Sequence, residues 1–553
     1  MRARLLTAIL LLGCGKDDPV TAPPASTYVP PPAVAVVETG ITRDLFLVPG
    51  VHPGPNPTLG VETPKERDFV RVVRYRLEKS TPARAIVVMM PGFLGGAGSF
   101  DGVARALVRR GLADPAAVVE VWAIDRRANL LEDTHGSDVA EVKKEPTLAR
   151  RYYYDGEAVE GKTFAGFLDQ SDLGYVSEWG LPVTLGDLRN VIARVPAAER
   201  KQRVVLLGHS LGGTIVESYA AWDFEGQRGL DDLAGLVLVD GVSGKELDPV
   251  SSFSEKDYLE GSATGTGSPF SAPGLNVIRK VQPYVALPFF GVKGLEHAER
   301  LAMAARFSPT APRIPDDDVT ASLALILGLK SSTVPKTTSR GAFGLAFDDA
   351  SSTITIGAVS CGKAVGGPLA SYKSLLGGTL LQPSDPSATY DWEDGELTAL
   401  SDLADAWFSG PGLNFGEWYF PARLSLDASL AGSLVMEPGD FREKYGMRMK
   451  HGAALDLPVL AMAAALTADA DGSGTAKSYD KLRAMLGDKP VGEGRALAGV
   501  PRTDPRAWQL IVRPKFTHID PLMARDAGEG KAWYDALAGF VKSATKDGGV
   551  VVP

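Results

Sequence analysis

The sequence reads Val204-Val205-Leu206-Leu207-Gly208-His209-Ser210-Leu211-Gly212-Gly213 around one serine. A serine hydroxyl becomes a useful nucleophile when it is exposed, held beside a base and faced by donors for the charge its attack creates. The apolar run before Ser210 predicts a buried strand and Thr214 to Trp222 predicts a helix, which puts the serine at the bend between them. Gly208 and Gly212 flank it because a tight strand-to-helix turn crowds both positions. The helix start offers backbone N–H groups and a positive dipole end beside the hydroxyl, where an oxyanion would be stabilised. The plainer alternative is a glycine-rich turn that merely contains a serine. A base would have to come from one of six histidines: His52, His135, His209, His297, His451 and His518.

The elements that must position these groups follow a rhythm. Phe69 to Leu77 mixes apolar and basic residues in near alternation, as a half-exposed edge strand does. Ala85 to Met90 is a continuous apolar run, expected where a parallel sheet buries both faces of a strand, and it ends in Pro91-Gly92-Phe93-Leu94-Gly95-Gly96. A helix is predicted over 99–110, a strand over 118–124 ending in Asp125-Arg126-Arg127, a polar insertion over 128–186, a helix over 187–195 and a strand over 236–240. The alternation then stops, and it resumes at Leu457 to Met462, with a helix over 479–486, a strand over 508–512 and a last helix over 531–542. Alternating strands and helices predict the α/β class, with a doubly wound, mostly parallel sheet. Residues 41–64 show no clear period and read as loop or short strands.

A structureless stretch of some two hundred residues inside a compact fold is improbable, so 242–454 reads as an inserted cap or lid domain. Amphipathic segments near 295–307, 318–328 and 397–408 support this. The aromatic run Phe415-Gly416-Glu417-Trp418-Tyr419-Phe420-Pro421 reads as the core of that cap and Ser177 to Leu181 as packing. The hydrolase core then comprises 41–241 and 455–553.

From about 66 to 241 and from 455 to 545 the chain resembles the α/β-hydrolase superfamily. The resemblance rests on the elbow Gly208 to Gly212 and on the turn Lys515-Phe516-Thr517-His518-Ile519-Asp520-Pro521 after the last strand. It implies the chain order nucleophile, acid, histidine. His518 alone lies in a loop after the last predicted strand, which makes it the implied base; His209 is then a packing or polar neighbour at the elbow. The implied acid follows the strand at 457–463, where Asp469 is preferred over Asp471, and Asp240 at the preceding strand end is the rival. The implied oxyanion donors are the N–H groups of Leu211 and Phe93, with Leu94 as substitute for the latter. Asp469 to Asp480 carries part of a calcium-loop pattern, but Asp holds position twelve in place of Glu. A plain polar loop is the better reading, and no metal or organic cofactor is expected.

The resemblance implies a serine hydrolase that cleaves a small-molecule or lipid ester through an acyl-enzyme, in the manner of esterases and lipases, and the N-terminal residues imply that it is exported. A peptidase or amidase on the same fold is the alternative, and an inactive surface-anchored binding lipoprotein a further one. Serine at the elbow, in place of aspartate, argues against dehalogenase or epoxide-hydrolase chemistry. A net charge of −9 and no basic run argue against a nucleic-acid partner. Residues 1–14 join a positive head, an apolar run too short to span a bilayer and Leu11-Leu12-Gly13-Cys14, which resembles a bacterial lipobox. Lipidation of Cys14 and a proline-rich tether over 15–40 would anchor the protein to a membrane of the cell envelope; with only Cys361 left, no intramolecular disulfide is then possible.

Overall fold

A computed structural model describes residues 35–552 apart from 80, 242–253, 262–272, 287–290, 314–315, 374–378, 396, 409, 411–412, 414, 432–433 and 468–476. Cys14, Asp469 and Asp471 lie outside the described residues. Nine strands form one sheet: β1 (Ala35–Glu38), β2 (Ile41–Pro49), β3 (Phe69–Leu77), β4 (Ala85–Met90), β5 (Val119–Asp125), β6 (Val204–His209), β7 (Gly235–Val239), β8 (Val459–Ala463) and β9 (Trp508–Val512). Their order is β1-β2-β3-β5-β4-β6-β7-β8-β9. Strands β1, β2, β3 and β5 pair antiparallel in that order, and every pair from β5 through β9 is parallel. The mixed, mostly parallel α/β architecture agrees with the periodicity.

All six residues of β4 are buried, and alternation divides them between two cores. Ala85, Val87 and Met89 pack in one core with helices α1 (Asp101–Ala113) and α4 (Gly528–Ala544). Ile86, Val88 and Met90 pack in the other with α2 (Leu181–Ile192) and α3 (Leu211–Ala221). A strand covered on both sides has no need of a polar face, which is why its sequence is continuously apolar.

Two readings differ from the structure. Residues 41–49 form a nine-residue strand paired along its whole length with β3, so β3 is internal and is no edge. The basic residues that suggested exposure are paired: Arg71 with Asp125 at 2.7 Å, and Arg74 and Arg76 with Asp44 at 2.8 and 3.0 Å. The stretch 128–186 is less polar in its packing than in its composition, with Tyr152, Tyr153 and Trp179 buried.

Strands β7 and β8 are hydrogen-bonded neighbours, although the chain between them runs from Asp240 to Pro458. That intervening chain supplies helices including Val292–Phe307, Asp317–Ile326, Leu400–Phe408 and Ala422–Leu430, a three-stranded sheet and a two-stranded hairpin. Among the described residues no helix is long and apolar enough to cross a membrane.

Candidate active site

The ends of the parallel strands line up. Met90 lies opposite Gly208, His209 and Met462 both lie opposite Val239, and Ala463 lies opposite Val512. Residues that follow these positions meet along the carboxyl edge of the sheet, where open α/β sheets hold their ligands.

Ser210 sits between β6 and α3 with φ +56° and ψ −126°, a region that residues with a side chain rarely enter. Its backbone is held there: the N–H donates to Val239 O at 3.0 Å, and the carbonyl accepts from Gly213 N–H at 2.8 Å. A Cβ on Gly208 would overlap the carbonyl oxygen of Gly212, and one on Gly212 would overlap that of Met90. Both glycines are therefore required by neighbouring backbone. Ser210 remains 8 % exposed at the bend.

Asp240 directly follows β7 and is completely buried. Its Oδ1 accepts from Ala464 N–H (2.8 Å), Thr467 N–H (3.0 Å) and Thr467 Oγ1 (2.7 Å). Its Oδ2 accepts from Leu466 N–H at 3.0 Å and lies 2.7 Å from His518 Nδ1. Burial pushes this carboxyl upward, but the bonds from His518, Thr467 and Ala464 outweigh it and hold the group below the ordinary carboxylate range. An ionised Asp240 can only accept, so Nδ1 of His518 carries the hydrogen, and in the neutral ring the lone pair is then on Nε2.

His209, one residue ahead of Ser210, lies against His518 with ring centroids 4.5 Å apart and planes tilted by 34°, and its Nε2–H donates to the carbonyl of His518 at 2.9 Å. Burial, and after it the neighbouring imidazole, brings His209 down to about 3, so it is neutral at physiological pH. The turn bearing His518 is fixed from its other side by Asp520, which accepts from Thr517 N–H (2.8 Å), Thr398 Oγ1 (2.7 Å) and Ser360 N–H (3.1 Å). Ser360 and Thr398 belong to the insertion.

Leu211 opens α3, so its N–H has no acceptor within the helix. Phe93 lies in the loop after β4, with its ring 4.9 Å from that of Phe420 in an edge-on contact. The backbone of this loop reaches the elbow, for a Cβ on Gly92 would stand 2.7 Å from Ser210 Cβ and 3.3 Å from its Oγ.

The structure thus brings together the neighbourhoods of Ser210, Leu211, Phe93, Asp240 and His518. The carboxylate facing His518 is that of Asp240, which replaces Asp469 as our candidate acid. The loop after β8, where the sequence suggested an acid, instead lends Asp240 the amides of residues 464, 466 and 467. The sequence reading also passed over Asp520, Arg126 and Glu417. The signal for Glu417 is a lone acid inside an aromatic run, because a buried charge must have a partner.

The sequence model described as "Alpha/beta hydrolase family" matches residues 87–350. No curated protein matches the chain significantly. Solved structures similar to it include a putative lipase from Sulfolobus solfataricus (13 % identity, TM-score 0.43, 92 % of this chain and 98 % of that one). Others are an alpha/beta hydrolase fold protein from Nakamurella multipartita (11 %, 0.32, 90 % and 99 %) and a thermophilic esterase from Thermogutta terrifontis (11 %, 0.29, 90 % and 99 %).

Proposed function

We propose that this chain, which has the alpha/beta hydrolase fold, is a serine hydrolase that cleaves carboxylic esters through an acyl-enzyme. The observation that carries the reading is the buried Asp240–His518 hydrogen bond of 2.7 Å beside a strained serine elbow. A carboxylate hydrogen-bonded to an imidazole, with a serine hydroxyl on the adjoining elbow, supplies the three groups that nucleophile activation requires.

In this reading Ser210 Oγ attacks the ester carbonyl while Nε2 of His518 takes its proton. Asp240 keeps the imidazole in the tautomer that can do so and stabilises the imidazolium. The N–H groups of Leu211 and Phe93 receive the oxyanion. His518 then returns the proton to the leaving alkoxide, and water repeats the sequence on the acyl-enzyme. We also propose that the chain is exported and anchored through lipid on Cys14, which radiolabelled palmitate incorporation lost in Cys14→Ser would support.

The test is an acyl chain-length series of p-nitrophenyl esters beside aminoacyl anilides, with fluorophosphonate labelling. Wild-type protein should be labelled at Ser210 and prefer the esters, and Ser210→Ala should lose labelling and lower kcat/KM by about 10⁴-fold or more. Preferential turnover of anilides would replace the ester reading by an amidase, and turnover undiminished in Ser210→Ala would end the case for a serine nucleophile.

A further inference from the structure

The insertion lies directly across the loop that follows β4. Gly95 and Gly416 form an antiparallel bridge, Gly96 N–H donates to Phe415 O at 2.7 Å, and Glu417 N–H donates to Leu94 O at 2.8 Å. Leu94 is held at φ +56°, a backbone state a leucine keeps only when its surroundings impose it.

Beneath this strap sits Arg126, the residue after β5, only 5 % exposed. Its Nη1 donates to Pro91 O at 2.8 Å, and its Nη2 donates to Gly92 O at 2.9 Å and Gly95 O at 3.0 Å. Its Nε donates at 2.9 Å to Oε2 of Glu417, which Nη2 also reaches, and Glu417 is completely buried. The guanidinium lies 5.1 Å from the centroid of Phe420. One planar fork thus collects three carbonyls of one loop, and the insertion provides its counter-charge.

The direction of those carbonyls has a consequence for the site. In a trans peptide the C=O of one residue and the N–H of the next point opposite ways. With Gly92 O drawn to Arg126, the N–H of Phe93 is turned away from Arg126, and Gly92 itself abuts Ser210. We propose that Arg126 and Glu417 are positioning residues which aim the loop's amide at the oxyanion, so that the insertion completes the oxyanion hole. The inference rests on the serine-hydrolase reading. Both residues are buried beneath the strap and act through the loop. Glu417 balances the buried guanidinium and fixes its rotation; a lysine, with one compact ammonium, cannot serve three carbonyls and a carboxylate at once.

The experiment uses the full chain with Arg126→Lys and Glu417→Gln, each checked for folding by circular dichroism and thermal melting. Three quantities are read: kcat and KM on p-nitrophenyl butyrate, the second-order rate of fluorophosphonate labelling at Ser210, and the pH profile of kcat/KM. Complete loss of one oxyanion donor costs about 10²–10³-fold in kcat, so a misaimed donor should cost about 10–100-fold. In Arg126→Lys that loss is expected in kcat and in labelling rate together, with KM within about threefold and the acid limb of the profile unmoved, because Asp240–His518 is intact. Should Arg126→Lys not fold, Glu417→Gln keeps the volume and one acceptor oxygen, and a loss of about tenfold in the same two rates is expected. A folded variant with wild-type kcat and labelling rate overturns the inference, as does a loss confined to KM. If the wild-type chain is itself unlabelled while Ser210→Ala behaves identically, the serine-hydrolase reading fails first and this inference with it.

Discussion

Replacing Asp240 by asparagine tests the candidate acid with almost no change of shape. Asp240 receives five hydrogen bonds, three at Oδ1 and two at Oδ2, and all five partners are donors. An asparagine that keeps its oxygen toward Ala464 and Thr467 must turn an NH₂ group toward Leu466 N–H and His518. Two donors then face each other in a buried site, at a cost of about 1–3 kcal/mol to stability. The imidazole responds by accepting at Nδ1, which moves its hydrogen to Nε2 and removes the lone pair that would take the serine proton. Wrong-tautomer substitutions of this kind lower kcat about 10⁴-fold, equivalent to about 5.5 kcal/mol of transition-state stabilisation. The two effects are separable, because about 2 kcal/mol of stability leaves the protein folded while the catalytic loss is nearly complete. The assay is kcat/KM on p-nitrophenyl butyrate for Asp240→Asn, Asp469→Asn and Asp471→Asn, each corrected for folded fraction. Asp240→Asn should fall about 10⁴-fold and the other two stay within about twofold. A comparable fall in Asp469→Asn with Asp240→Asn active would refute the assignment and return the role to the loop after β8.

Two further outcomes follow from burial and contact. Gly212→Ala must displace the Met90 carbonyl, so it should destabilise by about 1–3 kcal/mol and lower activity, whereas Gly539→Ala, whose added Cβ meets nothing within 4 Å, should stabilise the exposed side of α4 by about 0.5–1 kcal/mol; thermal melts compare the two. Glu299 accepts from Ser137 Oγ and Trp418 Nε1, both at 3.0 Å, and burial, followed by the nearby Glu296, pushes its carboxyl well above the ordinary range. The folded chain thus keeps a proton that the unfolded chain releases, so stability falls by up to about 1.4 kcal/mol per pH unit as pH rises above the ordinary glutamate pKa. Glu299→Gln, permanently neutral, should therefore melt higher than wild type at pH 8 and close to it at pH 4; parallel pH dependences would contradict this.

The parts of the fold legible in the sequence are those whose signal is local. Ala85–Met90, Val204–His209 and Gly235–Val239 are buried on both faces, and burial of that kind writes a continuous apolar run. The elbow is legible because steric crowding by Gly212 O and Met90 O demands glycine at fixed spacing from the serine. Residues 41–49 were not legible: Thr42, Arg43 and Asp44 break any pattern, and the strand exists because Asp44 finds Arg74 and Arg76 across the sheet. The acid illustrates the same boundary. Position alone left Asp240 and the loop after β8 in competition, and only the tertiary structure shows that loop turning its amides toward Asp240. Glu417 and Arg126 are 291 residues apart in sequence, so neither could be recognised by spacing.

The same contacts bear on how a large insertion can move over such a site. A cap that swung open as one body would have to break Arg126–Glu417, the bond from Arg423 to Glu178 at 2.5 Å and the anchoring of Asp520 by Ser360 and Thr398. Separating one buried ion pair costs about 3–5 kcal/mol when either charge is left without a partner. Two such pairs alone exceed what a weak substrate contact returns. Because Arg126–Glu417 holds the loop after β4 and Asp520 holds the turn bearing His518, releasing them would disorganise the candidate site. Segment 415–423 and the anchors at 360 and 398 are thereby held on the sheet as fixed walls of the candidate site.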